Sequence, residues 1–312
     1  MRIAVFGAGA VGSYFGGRLA QAGEEVIFIA RGEHLQAIRD HGLRVDSLRG
    51  DFVVQPAQAT DDPAQVGAVD VVLVGVKAWQ VPQAAQAMRP LIGPDTMVVP
   101  LQNGVEAPTQ LAEALGSRHA LGGLCKIISS LVGPGHIRHA GIEPYLAFGE
   151  LDNRSTPRVE RLRQAFSRAK GLAVEIPSHI QAAMWEKFLF IASFSGVGAV
   201  ARAPAGVLRS VPETRQLLEG AMHEVLAVAQ ECAIPLPDEI VTKTMAFVDK
   251  LPPDGTASMQ RDIIQGRPSE LASQNGAVVR IGQETGVATP LHSFIYRSLW
   301  PLELRARGQV QF

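Results

Sequence analysis

The chain has 312 residues, enough for two domains of ordinary size, with 46% hydrophobic and 19% charged residues. Lys+Arg number 29 against Asp+Glu 30, a net charge of −1, which leaves no electrostatic case for nucleic acid or an anionic membrane as partner. The two cysteines, Cys125 and Cys232, lie far apart and lack metal-ligand spacing, so a reduced cytoplasmic protein without a metal is expected, and no uninterrupted apolar run reaches the ~18 residues of a membrane span.

Residues 3–31 carry the strongest local signal. An apolar run, Ile3 to Phe6, meets Gly7-x-Gly9-x-x-Gly12, then a helical pattern, then a second apolar run ending at Arg31. This is strand, glycine turn, helix and strand, the context in which a dinucleotide fingerprint carries meaning. Gly7 permits the tight turn, Gly9 lets a pyrophosphate approach the backbone, and Gly12 lets the helix pack against the strand. The helix start, through Ala10 and Val11, offers free N–H groups and a positive dipole end. Arg2 before an apolar run imitates a secretory signal, but five glycines from Gly7 to Gly17 argue against one. The second strand ends without a carboxylate until Glu33. A guanidinium at Arg31 grips a 2′-phosphate that a carboxylate would repel, so NADP(H) is expected over NAD(H).

Beyond this, residues 43–55, around Arg49-Gly50, read as an inserted hairpin. Val69 to Val76 and Thr96 to Leu101 read as strands buried on both faces, with a helical pattern from Val81 to Arg89 between them. After Leu121 the pattern becomes short strands with glycine turns at 133–135 and 140–141. A helix near 157–169 and a strand at 173–176 follow, then a linker at Pro177-Ser178.

From Ile180 onward only helices are expected, at about 180–200, 213–230, 237–250, 260–285 and 290–306. The sum is an α/β Rossmann-type dinucleotide-binding domain (1–178) followed by an all-α C-terminal domain (179–312). Substrate contacts are expected from the helical domain, over the carboxyl edge of the sheet. The helical half has room for a homodimer face, although no stripe identifies one.

Five clusters bear chemistry, and each keeps two readings. Lys77, after a buried strand, faces the cofactor crevice or idles at a helix start. Asn103, after the next strand, caps a helix or holds the nicotinamide ribose and substrate. Lys187 sits in an apolar helical run, where it snorkels outward or delivers a proton to a carbonyl oxygen. Ser258 is an N-cap or a functional residue. Glu270 is a first-turn acid or a functional residue.

Taken in order, GAGAVG at 7–12, Arg31, KAWQ at 77–80, QNG at 102–104, WEK at 185–187, SM at 258–259 and Glu270 resemble the ketopantoate reductase (2-dehydropantoate 2-reductase) family over the whole chain. The resemblance implies NADPH-dependent reduction of 2-dehydropantoate to (R)-pantoate, in pantothenate biosynthesis. It makes Lys187 the proton donor, puts Lys77 and Asn103 at the cofactor and ketone, Ser258 at the substrate carboxylate, Glu270 near the nicotinamide ribose, and a backbone contact to the cofactor near Ile128. The chain departs from the family at four positions usually held by asparagine: Ile191, Ser195, Ala205 and Gly255. Ser195 can keep one substrate bond, whereas Ile191 has no side chain to make one. A pocket that loses partners for a substrate hydroxyl loses discrimination. Three functions follow: ketopantoate reduction, a paralogous reductase of a less polar oxo acid, or a non-catalytic NADP-binding sensor.

Overall fold

β1 (Arg2–Phe6) splits its side chains between two cores, as the period of two along a strand requires. Ile3 and Val5 enter one cluster, with Phe28, Leu73 and Val99; Ala4 and Phe6 enter the other, with Ile29, Val72 and Val98. The computed structural model describes residues 1–312. α1 (Ala10–Gln21) leads to β2 (Glu25–Ile29), and α2 (Gly32–His41) to β3 (Leu43–Ser47), β4 (Phe52–Val54) and β5 (Gln58–Thr60). β6 (Val69–Val74), α3 (Val81–Ala87), β7 (Ile92–Pro100) and α4 (Ala107–Leu115) complete the alternation. The main sheet is parallel throughout, in the order β5-β2-β1-β6-β7. The order reverses between β1 and β6, and ligands bind such sheets outside the strand ends at that reversal.

A second sheet lies in the same unit. β8 (Leu121–Gly133) and β9 (His136–Glu150) form one long antiparallel hairpin rather than the short strands expected. Residues 140–141, expected to be a turn, run inside β9. The register with β8 shifts between Lys126 and Ile128, and Gly141 takes φ +74° there, so the glycine absorbs an irregularity instead of reversing the chain. The other edge of β9 pairs in parallel with β3 and, further on, with β10 (Ala173–Glu175), which follows α5 (Pro157–Ser167). The β3–β4 hairpin is therefore a member of this sheet. Arg18 of α1, almost fully buried, holds it. Its Nη2 donates to the carbonyls of Arg49 and Gly50 at 3.2 and 2.9 Å, and its guanidinium lies 4.3 Å from the Phe52 ring centre.

The chain divides into two compact units, Met1–Gln102 with Ala107–Ile180, and Asn103–Glu106 with Gln181–Phe312. By this division the helical unit runs from Gln181 and takes in residues 103–106. The second unit contains α6 (Ile180–Ala201), α7 (Ala205–Ser210), α8 (Pro212–Glu231), α9 (Ile240–Val248), α10 (Ser258–Ile264), α11 (Asn275–Thr285) and α12 (Pro290–Ala306). The single helix expected over 260–285 is broken. Gly266 takes φ +67°, and Pro268 follows, which lacks the N–H a helix would need and biases its predecessor away from helical angles.

α6 is long and apolar enough, on length and composition alone, to cross a membrane, and 67% of that stretch is buried inside the protein. Two glycines admit polar side chains to its backbone. A Cβ on Gly196 would stand 2.4 Å from the amide nitrogen of Asn275, and one on Gly198 would stand 2.8 Å from Gln260 Oε1. Asn275 Nδ2 donates to the Ala192 carbonyl at 3.1 Å and to His292 Nδ1 at 3.0 Å. With Nδ1 accepting, the His292 proton sits on Nε2, which donates to the Ala221 carbonyl at 3.0 Å. His292 is wholly buried, and desolvation pushes its pKa down to about 4.

Candidate functional site

In the first unit the glycine turn and the end of β6 are built as one piece. Gly7 takes φ +92°, a region closed to most side chains, and a Cβ there would meet the Val76 nitrogen at 2.7 Å. A Cβ on Gly12 would lie 2.4 Å from the Gly7 oxygen, and one on Gly75 would lie 2.6 Å from the same atom. The Gly75 N–H donates to the Phe6 carbonyl at 2.8 Å, and the Gly7 and Ala8 N–H groups both donate to Ile29. Gly9 is different. It is exposed, and a Cβ there would have nothing within 4 Å. The turn is thus closed underneath and open above.

Gly9 is also the N-cap of α1, with no side chain bonded across the helix start and no acid in the first turn. The first N–H groups of a helix have no intrahelical partners, so those of Ala10, Val11 and Gly12 are available to phosphate oxygens. Arg31 lies just past β2, exposed, at the N-cap of α2 in extended conformation. Lys77 lies just past β6, exposed, with its ammonium 5.8 Å from the Trp79 ring centre. Gln102 had no role in the sequence reading. Its Nε2 donates to the carbonyls of Val74 and Val76 at 2.8 and 2.9 Å, fastening the segment after β7 to the one that carries Lys77. Its place directly after a buried strand, beside Asn103, was the available signal. The residues present fit a dinucleotide: an open glycine, free helix N–H groups, and two cations past the ends of the two strands that flank β1. Ile128 is apart from this turn in the sequence, on β8, and half-exposed.

In the helical unit, Asn103 Nδ2 donates to Glu270 Oε2 at 3.0 Å, and Gln274 Nε2 donates to the same oxygen at 3.5 Å. Asn103 therefore does not cap α4, which begins only at Ala107. Gly104, at φ +109°, packs where a Cβ would lie 2.9 Å from the Ser273 carbonyl, and Glu106 accepts two hydrogen bonds from Arg280. Glu270 is buried and precedes a short 3-10 turn at Leu271–Ser273, so it is not a first-turn acid of an α-helix. Ser258 is the first residue of α10, while Ala257 occupies the cap position, so the capping reading of Ser258 fails too. Gln260, two residues on, donates to the Gly198 and Ala203 carbonyls at 3.1 and 2.9 Å and so ties the start of α10 to the end of α6.

Lys187 is half-buried on α6. Ile191 and Ser195 follow at one and two turns, on the same face by helical periodicity. Ser195 is wholly buried with an unpartnered hydroxyl. Ala205 and Gly255 are neighbours: the Ala205 N–H donates to the Gly255 carbonyl at 2.9 Å, and a Cβ on Gly255 would lie 3.7 Å from that of Ala205. The fold thus groups Asn103 with Glu270, and Ala205 with Gly255.

A parallel sheet with an open phosphate turn at its order reversal, accompanied by a helical unit, defines a nicotinamide-dinucleotide oxidoreductase. The family model described as "Ketopantoate reductase PanE/ApbA" matches residues 3–153, and that of its C-terminal part matches residues 179–303. The chain belongs to the ketopantoate reductase family, whose members are oxidoreductases acting on a 2-oxo acid or CH–OH group. A 2-dehydropantoate 2-reductase of Nostoc sp. is 31% identical, over 99% of this chain and 98% of that protein. A PanE/ApbA family ketopantoate reductase from Ralstonia eutropha JMP134 superposes with a TM-score of 0.89 at 32% identity, covering 98% of this chain and all of the other. D-mandelate dehydrogenase, solved with NADH and anilino(oxo)acetate, superposes with a TM-score of 0.88 at 25% identity, covering 98% and 99% of the two chains.

Proposed function

We propose that the chain reduces a small 2-oxo acid to the 2-hydroxy acid with NADPH, and that the acid's tail is less polar than that of ketopantoate. One observation carries the second half. Of the four positions where the family resemblance leads one to expect asparagine, Ile191, Ala205 and Gly255 have no hydrogen-bonding side chain, and Ala205 and Gly255 touch. A substrate hydroxyl would find no side-chain partner at those three positions and would lose its water. The overall change is 2-oxo acid plus NADPH plus a proton to 2-hydroxy acid plus NADP+. When bound, the nicotinamide supplies the hydride. Lys187 supplies the proton to the carbonyl oxygen, and Ser258 contacts the substrate carboxylate. Asn103 and Glu270, already paired at 3.0 Å, orient the nicotinamide ribose, and Lys77 and the backbone near Ile128 complete the cofactor contacts. Arg31, exposed beyond β2, supports a 2′-phosphate and therefore NADP(H).

Ketopantoate reduction to (R)-pantoate is the second reading, carried by the relatives named for it and by Ser195, which keeps a free hydroxyl. D-mandelate dehydrogenase, a neighbour solved with an oxo acid bearing an aryl group, agrees with the first. Steady-state NADPH oxidation across a panel of 2-oxo acids decides. Ketopantoate turning over best would remove the less polar tail, and NADH serving as well as NADPH would remove the role of Arg31.

A further inference from the structure

Phe190 follows Lys187 by three residues on α6, which makes the two side chains neighbours with Cβ atoms about 5–6 Å apart. The Phe190 ring stacks on Phe194 at a centroid distance of 5.2 Å and 20°, and meets Phe247 of α9 nearly edge-on at 5.1 Å and 83°. Exposure rises along this series. Phe194 is 3% exposed, Phe190 is half-buried, and Phe247 is 51% exposed. Ile191, adjacent in sequence and one turn from Lys187, continues the apolar surface on the lysine's other flank.

One ring series of the helical unit runs outward from the core. It ends in an open aromatic surface on the flank of the amine that carries the proposed chemistry. We propose that Phe190 and Phe247 recognise an aromatic tail, so that the substrate class is an aryl-substituted 2-oxo acid of the phenylglyoxylate type. This rests on the reading of Lys187 as the proton donor of a 2-oxo acid reductase. An arene prefers offset or edge-to-face contact with another ring and gains about two- to tenfold in affinity beyond the apolar area it covers. A branched aliphatic tail gains only the area. Ile191 rewards either tail and rejects a hydroxyl, so the aromatic series is what separates the two.

The test compares the full chain with Phe247→Ala and Phe190→Leu by steady-state NADPH oxidation, using phenylglyoxylate, 2-oxobutyrate and ketopantoate. In the parent protein kcat/KM for phenylglyoxylate exceeds that for 2-oxobutyrate by about tenfold or more, and in Phe247→Ala that ratio collapses towards one, chiefly through KM. An unchanged ratio in both variants overturns the proposal, as does a parent protein that prefers ketopantoate. Light scattering on the same samples adds a separate readout. A smaller assembly in Phe247→Ala with an unchanged ratio makes the ring series a contact between copies and likewise overturns it. If none of the three acids oxidises NADPH, the oxo-acid reading itself falls, an outcome distinct from activity without aryl preference.

Discussion

The two units solve the same problem, placing polar groups beside apolar cores, by opposite means. The nucleotide unit uses backbone: glycines at 7, 12 and 75 press three chain segments together, and Gly9 leaves the top of the turn open. The helical unit uses side chains. Asn275 and Gln260 push carboxamides against α6 at its glycines, and Asn103, Glu270 and Gln274 form a bonded cluster from two distant segments. A backbone site fails when a side chain is added. A side-chain site fails when one is removed or recharged.

The largest effect is expected in the helical unit. Lys187→Ala should lower kcat by about two to four orders of magnitude, measured with the best substrate of the panel, if it is the acid. Near-normal turnover would leave the helical unit without its proposed chemistry. His292 provides the next effect. Its folded-state pKa of about 4 lies below the ordinary histidine value of 6.5, so the unfolded chain binds the proton first as pH falls. The stabilisation is fully present above pH 6.5 and is lost on descending to pH 4, a cost of about 3 kcal/mol. Urea unfolding across that range should show the slope, and His292→Phe should flatten it. An unaltered slope would mean that other groups control acid stability.

In the nucleotide unit, Arg31→Asp should raise KM for NADPH by about tenfold or more while sparing NADH, since a charge-assisted bond contributes about 1.5–3 kcal/mol. The sharpest contrast is between two glycines three residues apart. Gly12→Ala should destabilise the protein by about 1–3 kcal/mol, because its methyl has nowhere to go. Gly9→Ala should leave the melting temperature within the range of a neutral surface change, about 0.5 kcal/mol, and should weaken only cofactor binding. Equal losses of stability in the two would erase the distinction between closed and open faces of the turn.

Legibility in the sequence followed the same division. The phosphate turn was readable because its parts lie within 3–31 and each glycine has a steric reason. The place of Lys77 past β6 was readable from the buried strand before it. The β8–β9 hairpin was misread as short strands because Gly141, at an irregularity inside β9, carries the same signal as a turn glycine. Gly266 and Pro268 signalled the break before α11, but the apolar spacing across 260–285 outweighed them. In the helical unit, Ser258 gave only a capping signal and Glu270 only that of a first-turn acid, and neither local reading held. The grouping of Glu270 with Asn103 depends on a bond that spans 167 residues, and no local period encodes such a distance.

The buried course of α6 has a consequence for how the chain must be made. Its 22 residues end at Ala201, whereas the carboxamide of Asn275 that meets the Ala192 carbonyl arrives more than seventy residues later. Until then a long greasy rod stands only partly covered. A chain cut short before Asn275 would keep the rod and lose its lining, so truncation products of this protein should be sticky rather than merely inactive.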